Sequence, residues 1–517
     1  MEGTVFSLIP PLIMLFLVLV TRKVLLSLGA GIIAGALFME GFNPAGALNV
    51  IWISFSEIFV VEGEIQTGSL YLLFFLLFLG IMGAFMSESG GTVAFGHWAS
   101  SRVKTRKGAQ FVPAILGLII FIDDYFNSLA VGQVSRPLTD RYSVSRAKLA
   151  YIIDSTSAPV TVLSPVSSWG AYIIGLIGSI LATHQLSSLG GLEAFIQMIP
   201  MNFYAVAALL LVFLSVYFKL DMGPMKIHEN RAEQTGALIG FSRENVQEDV
   251  TKDAVDQNDG RLHHLFTPIV VLLTGTVITM IWTGISNTSD PITVLSIFSN
   301  TDVNLSLFVA GLLSVLTAML LYIRQKQRKM SVHQVLMSGI RSMMPAIYIL
   351  IFAWMLGTVI GLLETGEYLA GLVQSADFNV SFLPLIIFVI SGIMAFATGT
   401  SWGTFGMMLP IAGDIAVNTE VSMLLPSMAA VLAGSVFGDH CSPISDTTIL
   451  SSTGAGANHI DHVLTQLPYA LLSAISALIG YAILGWTASW VIALAATLII
   501  LSGSVILLNR LIKSAIL

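Results

Sequence analysis

Four short stretches of this 517-residue chain place ionisable and hydroxyl side chains inside otherwise apolar sequence. The first is Asp123-Asp124-Tyr125-Phe126-Asn127, which ends the run Leu116-Gly117-Leu118-Ile119-Ile120-Phe121-Ile122. An ionisable group at membrane depth costs at least about 2.5–3.5 kcal/mol on insertion scales, so such groups face a cavity, a partner or an ion. Two adjacent carboxyls also repel each other, which sets a proton and a sodium ion in competition for one position. The plainer alternative is a pair that caps a helix at the interface.

The second stretch is Asp154-Ser155-Thr156-Ser157-Ala158-Pro159-Val160-Thr161. Pro159 removes a backbone donor, and Ser, Thr and Asp compete for backbone bonds, so a broken helix is expected here. The exposed carbonyls and hydroxyls, with Asp154, would be hard oxygen ligands for a small cation. The alternative is an ordinary proline kink whose hydroxyls bond back to their own helix. The third stretch, Ala397-Thr398-Gly399-Thr400-Ser401-Trp402-Gly403-Thr404, reads as unwound backbone able to bind, or else as a packing face of small residues. The fourth, Gly438-Asp439-His440-Cys441-Ser442-Pro443-Ile444-Ser445-Asp446-Thr447-Thr448, is the densest polar stretch. Asp439 and Asp446 are cation ligands or proton carriers in this reading, Ser442, Ser445 and Thr447 supply hydroxyls, and His440 could titrate near neutral pH.

Other polar residues carry less. Glu88 and Glu364 each end an apolar run before Ser/Thr-Gly and read as helix-end carboxylates near water. His459-Ile460-Asp461-His462 reads as a solvated cytoplasmic turn. Adjacent His440 and Cys441 lack the spacing and the second pair of a zinc site. No P-loop or H-E-x-x-H pattern is present. Gly399-Thr400-Ser401-Trp402-Gly403 matches G-x-S-x-G but lies between apolar segments, not at a strand-to-helix turn of a soluble sheet.

The elements that must position these groups follow from composition. Hydrophobic residues make up 55% and charged residues 10% of the chain, against about 25% charged in soluble proteins. That excludes a cytosolic enzyme, a disordered chain and a nucleic-acid binder. The apolar runs are continuous and about twenty residues long, so the spans are helices, not strands. They fall near 4–21, 24–41, 69–86, 108–122, 149–184, 199–218, 265–285, 304–323, 345–363, 381–398, 421–439, 463–484 and 487–509. Stretches 47–60 and 333–344 are amphipathic and suit the interface. The net charge of −7 is concentrated in loops, and the single cysteine, Cys441, rules out an intrachain disulfide. Met1-Glu2-Gly3 lacks the positive start of a cleaved signal peptide, so the first run, Phe6 to Val20, reads as a retained helix. Residues 219–264 form a polar linker with nine acidic and six basic residues, expected to be solvated and partly disordered.

The linker separates two similar halves. Leu25-Leu26-Ser27-Leu28 resembles Asn304-Leu305-Ser306-Leu307, and Glu88-Ser89-Gly90 resembles Glu364-Thr365-Gly366. Phe121-Ile122-Asp123-Asp124 is placed like Phe396-Ala397-Thr398-Gly399, and Asp154–Pro159 like Asp439–Pro443. Basic residues alternate oppositely in the two halves. Arg22 and Lys23 are followed by a loop at 42–46 with none, then by Arg102, Lys104, Arg106 and Lys107. In the second half 286–303 has none, 324–341 has Arg324, Lys326, Arg328, Lys329 and Arg341, and 365–380 has none. Because cytoplasmic loops are rich in Lys and Arg, the halves read as an inverted-topology repeat, the plan of transporters that alternate access around a midplane site. Residues 108–135 and 381–418 then read as re-entrant hairpins. The expected organisation is a first repeat at 1–218, the cytoplasmic linker 219–264, a second repeat at 265–486 and an extra helix at 487–517. This gives about eleven crossings, with the N-terminus outside and the C-terminus cytoplasmic.

Phe121-Ile122-Asp123-Asp124-Tyr125, Arg136-Pro137-Leu138-Thr139-Asp140, the segment from Lys148 to Pro159 and that from Gly438 to Thr448 resemble the NhaC-type sodium/proton antiporter family. The resemblance is strongest over 110–170 and 345–465. It implies an all-α polytopic protein of the inner membrane, with inverted repeats, broken helices, a scaffold and a mobile part. It also implies exchange of sodium for protons, and makes Asp123, Asp124, Asp154, Asp439 and Asp446 the leading ion and proton carriers. Asn127, Ser155, Thr156, Ser157, Thr161, Thr398, Thr400, Ser401, Ser442, Ser445 and Thr447 are the candidate coordinating residues. Expected partners are sodium ions, protons, a small organic solute and the bilayer, with a homodimer as an option and no cofactor or transition metal. The rival reading is a sodium- or proton-coupled carrier of a small amino or organic acid, its pocket walled by Trp169 and Trp402. An ion channel fits the inverted repeat less well.

Overall fold

The computed structural model describes residues 3–21, 23–91, 94, 103–121, 123–165, 167–186, 189–240, 260–288, 292–325, 328–364, 368, 371 and 380–514. Linker residues 241–259 lie outside the described residues, as do Arg22, Ile122, Arg102, Lys326, Thr365 and Gly366.

The chain is built of helices, as a backbone in lipid requires when every N–H and C=O must be satisfied within its own segment. In order these are α1 (Ile9–Thr21), α2 (Val24–Met39), α3 (Pro44–Ser56), α4 (Thr67–Glu88), α5 (Arg106–Ile119), α6 (Asp124–Arg141) and α7 (Arg146–Leu163). Next come α8 (Ser168–Thr183), α9 (Gly191–Met198), α10 (Phe203–Phe218), α11 (Pro224–Thr235), α12 (His263–Asn287), α13 (Val294–Ser299) and α14 (Val303–Ile323). The last are α15 (Val332–Leu362), α16 (Leu383–Thr398), α17 (Ser401–Thr419), α18 (Leu424–Cys441), α19 (Asp446–Ala455), α20 (His459–Thr487) and α21 (Trp490–Ser514). Val60–Val61 and Glu64–Ile65 pair as a minimal antiparallel hairpin. Among the described residues seven helices are long and apolar enough to cross a membrane, and the bent pair Gly191–Met201 and Phe203–Phe218, at 51°, would make an eighth. The chain is a multi-pass membrane protein.

Buried side chains sort into two main bodies. One gathers α1–α4, α12, α14 and α15 around Phe75, Leu76, Phe85 and Leu356, with side chains of α5, α6 and α19 packed into it. The other gathers α8–α10, α16–α18, α20 and the end of α7 around Trp169, Phe388 and Phe405. Within the second body α16 and α18 lie against each other through small residues. A Cβ on Gly438 would sit 2.1 Å from the Gly392 carbonyl oxygen, and one on Gly434 would sit 2.3 Å from that of Phe388. Such contact is how membrane helices pack without a hydrophobic drive between them.

Several boundaries differ from the sequence expectation. The run 149–184 does break, but at residues 164–167, not at Pro159, which lies inside the continuous α7. The amphipathic 333–344 is not a separate interfacial stretch. It is the start of α15, a single 31-residue helix opened by a capping box between Ser331 and Gln334. Ser442-Pro443-Ile444-Ser445 joins α18 to α19, and Ser164-Pro165 follows α7. Asp154 lies in the middle of α7, whereas Asp439 lies near the end of α18.

The polar linker is not wholly solvated. Its helix α11 docks under the second body, with Met225, Glu229 and Ala232 buried. Arg106 Nη2 is 2.8 Å from Glu229 Oε2, and Arg106 Nη1 is 2.8 Å from Glu233 Oε1. Glu229 also accepts the Ser145 N–H at 2.8 Å, the residue that caps α7. Lys148, buried between the rings of Tyr151 and Tyr469, reaches Asp221 at 3.0 Å. Burial, and then the Asp221 charge, push the Glu229 carboxyl up, against the pull of Arg106. Removing that pull by Arg106→Ala strands a buried carboxylate, at a cost of about 3 kcal/mol when it is ionised. A carboxyl raised in the folded state adds stability below its unfolded value, near pH 4, and loses it as pH rises through its folded value. Thermal melts in detergent will therefore show a larger Arg106→Ala deficit at pH 8 than at pH 5.

Candidate functional site

The polar groups meet where helices are interrupted. The α5–α6 break falls at 120–123, the α16–α17 break at Gly399-Thr400, and the α18–α19 break at 442–445. Each interruption has a local cause. Gly399 takes φ +70° as the C-cap of α16 and lies so close to Ile444 that a Cβ would sit 2.8 Å from its carbonyl oxygen. Thr400 then caps α17. Pro443 removes a donor just after α18, and Ser445 caps α19. Asn127 closes the first break, its Nδ2 donating to the carbonyls of Gly117 at 2.7 Å and Ile120 at 2.6 Å. Ser442 Oγ donates to the Phe396 carbonyl at 2.8 Å and ties two breaks together.

Asp439, near the end of α18, is 3% exposed and accepts from Ser401 Oγ at 2.9 Å and Thr447 Oγ1 at 3.4 Å. Ser401 opens α17 and Thr447 lies in the first turn of α19, so one carboxylate gathers the hydroxyls of two breaks. Asp124, 1% exposed, opens α6, with Asp123 and Asp439 as charged neighbours and the Trp169 indole beside it. Its Oδ2 has no hydrogen-bond partner among the described residues, and neither has Trp169 Nε1. Asp446 is half-buried at the seam between the bodies. Its Oδ2 accepts from Tyr125 OH at 2.9 Å and from Trp354 Nε1, on α15 of the other body, at 3.5 Å.

The structure thus brings together Asp123, Asp124, Asp439, Asp446, Ser401, Ser445 and Thr447 with the backbone of Gly399 and Thr400. It does not bring in the hydroxyls of α7. Thr156, Ser157 and Thr161 donate to the carbonyls of Ile152, Asp154 and Ser157 in their own helix, the kink alternative. Ser155 is buried on the same unbroken helix. Thr398 likewise bonds back to Met394. Trp169 and Trp402 pack edge to face at 6.2 Å, and Tyr172 stacks on Trp402 at 4.8 Å.

Asp154 stands apart, fully buried, and its carboxylate is already crowded with donors. Thr448 Oγ1 lies at 3.2 Å, Ser451 Oγ at 3.1 Å and His462 Nε2 at 3.1 Å, and Gln466 Nε2 donates as well. The expectation of a solvated turn at 459–462 is overturned. Both histidines open α20, with His462 fully buried and His459 8% exposed. Local sequence hides them because Asp154 is 308 residues away. Trp354 and Ser451 were missed, and Tyr125 and Thr448 were quoted within their stretches without a role, because their partners Asp446 and Asp154 are remote in sequence. The hint was the periodicity of His459, His462 and Gln466 on one helical face. Glu364 is exposed and Glu88 half-buried at their helix ends. No cluster of three metal-ligating side chains occurs among the described residues.

Residues 160–486 match the Na+/H+ antiporter family. An uncharacterized protein of Haemophilus influenzae is 45% identical over 505 residues, 96% of this chain and 94% of its own length. The malate-2H(+)/Na(+)-lactate antiporter of Bacillus subtilis is 31% identical over 196 residues, 37% of this chain and 40% of that protein. An uncharacterized Na(+)/H(+) antiporter of Haemophilus influenzae is 35% identical over 137 residues, 25% of this chain and 28% of that protein.

Proposed function

We propose that this chain, which belongs to the Na+/H+ antiporter family, exchanges sodium ions for protons across the cell membrane. The observation that carries the reading is the pairing of Asp439 with Ser401 and Thr447 beside Asp124 Oδ2, a buried carboxylate oxygen with no donor among the described residues. A buried carboxylate lacking donors is costly, and either a proton or a sodium ion relieves it. Sodium takes oxygen ligands, and the site offers carboxylates, hydroxyls and the carbonyls freed where helices stop. In this reading Asp124 and Asp439 hold sodium when ionised and release it when protonated, while Asp446 and Asp123 complete the acidic surroundings. The two halves serve as inverted repeats with α5–α6 and α16–α17 as hairpins. The reading keeps the eleven crossings expected from the sequence pattern, with the N-terminus outside and the C-terminus, with Arg510, in the cytoplasm.

A second reading, coupled transport of a small organic acid or amino acid, draws on the Bacillus subtilis relative and on the aromatic wall of Trp169, Tyr172 and Trp402. One experiment separates the two. Proteoliposomes carrying a pH-reporting dye are given a sodium gradient with no organic solute present. Proton movement is expected. A folded protein that moves none hands the case to the second reading, to be followed by sodium-dependent uptake of amino and organic acids.

A further inference from the structure

We infer that the second body holds one phospholipid with an amine headgroup, its acyl chain in a cavity between helix ends and its ammonium at Glu420. This site is separate from the ion site and independent of the exchange reading. A cavity of about 350 Å³ is walled by the end of α8, the turn at Met201, the start of α18 and the turn from α20 to α21. Leu181, Met201, Leu425, Leu484 and Trp490 line it, Ser422 is the one hydroxyl among the described lining residues, and none of these residues is charged. The volume falls in the range of ligand cavities, about 300–1,000 Å³, which are mostly apolar. Leu425 and Asp439 are both on α18, and at about 1.5 Å per residue they are roughly 20 Å apart.

Position and charge select the occupant. Trp486 and Trp490 are exposed beside the cavity, and tryptophans on a lipid-facing surface mark the level of the headgroups. From Trp490 the mouth continues into the exposed apolar face of α21, with Val491, Ile492 and Ile499, on a helix long and apolar enough to cross the membrane. Bilayer hydrocarbon therefore meets the cavity directly. Moving a chain from lipid into an apolar cavity gains little by hydrophobicity, so the headgroup decides which lipid stays. The rim carries a carboxylate, since Ser422 Oγ, in the lining, donates to the exposed Glu420 at 2.6 Å. Residues 180–201, 411–426 and 484–493, which supply the walls, contain no Lys or Arg. Such a rim favours a headgroup that ends in an ammonium over one whose only charge is its phosphate.

The test is native mass spectrometry and thermal melting of the full chain in detergent, titrated with dioleoyl phosphatidylethanolamine or dioleoyl phosphatidylglycerol. The wild type should retain one phosphatidylethanolamine and gain a few degrees in melting temperature. It should retain phosphatidylglycerol roughly five-fold less. Leu425→Trp fills the cavity and should lose both the retained lipid and the thermal gain. Glu420→Gln leaves the cavity open and should retain the two lipids equally. No retained lipid or no headgroup preference in the wild type overturns the site. So does unchanged retention in Leu425→Trp, or a preference that survives in Glu420→Gln. If Leu425→Trp does not fold, the loss of preference in Glu420→Gln decides. None of these readouts requires sodium-driven proton movement, so the lipid site and the exchange reading fail separately.

Discussion

Asp439→Asn will abolish sodium-driven proton movement while leaving a folded, monodisperse protein. Asparagine keeps the shape and one acceptor oxygen for Ser401 and Thr447, so the crossing of the two breaks survives. What it loses is the charge. Removing one member of a buried ionic contact costs roughly 3–5 kcal/mol, and 1.4 kcal/mol is a factor of ten. The apparent affinity for sodium should therefore fall by about two orders of magnitude or more. Asp124→Asn should fall in the same range. Asp414→Asn is the control, since that side chain is 59% exposed at the far end of α17, and it should exchange normally. Dye-reported proton flux against sodium concentration measures all three, and full exchange by Asp439→Asn would remove this residue from the site.

Gly438→Ala will cost more folded protein than any charge substitution in the site. The added Cβ would lie 2.1 Å from the Gly392 carbonyl oxygen and 2.7 Å from the Phe396 nitrogen, both backbone atoms of α16. No rotamer change relieves a clash with backbone, and the interior is packed too closely to absorb it. Overpacking usually costs about 1–3 kcal/mol, and α16 and α18 parting along their length puts this case at the top of that range or above it. Stability is typically only about 5–15 kcal/mol in total. Gly503→Ala, in α21 where an added Cβ meets nothing within 4 Å, should instead leave the melt unchanged or raise it slightly. Detergent-solubilised yield and melting temperature read both variants, and a normal Gly438→Ala yield would refute the close packing.

The sequence was informative wherever the environment was local. Asp123-Asp124 and Asp439 stand out because charge interrupts an apolar run, and both lie at helix interruptions in the fold. Gly399-Thr400-Ser401 was legible because a glycine between hydroxyls inside apolar sequence leaves little but a break. Pro159 misled because membrane helices tolerate an internal proline, and α7 runs through it unbroken with the hydroxyls of Thr156, Ser157 and Thr161 bonded back to its own carbonyls. His462 was illegible because nothing near it in sequence announces Asp154. The docked α11 was hidden by a composition that is polar overall, although Arg106 supplies the charge its glutamates need.

Asp123, Asp124, Asp439 and Asp446 sit at helix interruptions where the two bodies meet: α6 and α19 send Leu129, Leu138, Ile449 and Leu450 into the core of the first body, whose Trp354 also reaches Asp446, while Asp439 lies on α18 of the second. Any sliding of one body past the other would drag that negative charge through the transmembrane voltage. Each elementary charge carried across the full field is worth about 2.3 kcal/mol per 100 mV. Each positive ion bound would cancel one of those negative charges, so the loaded site would respond more weakly to membrane potential than the unloaded one, and an energised cell would bias which face the empty site presents before any gradient of its cargo is established.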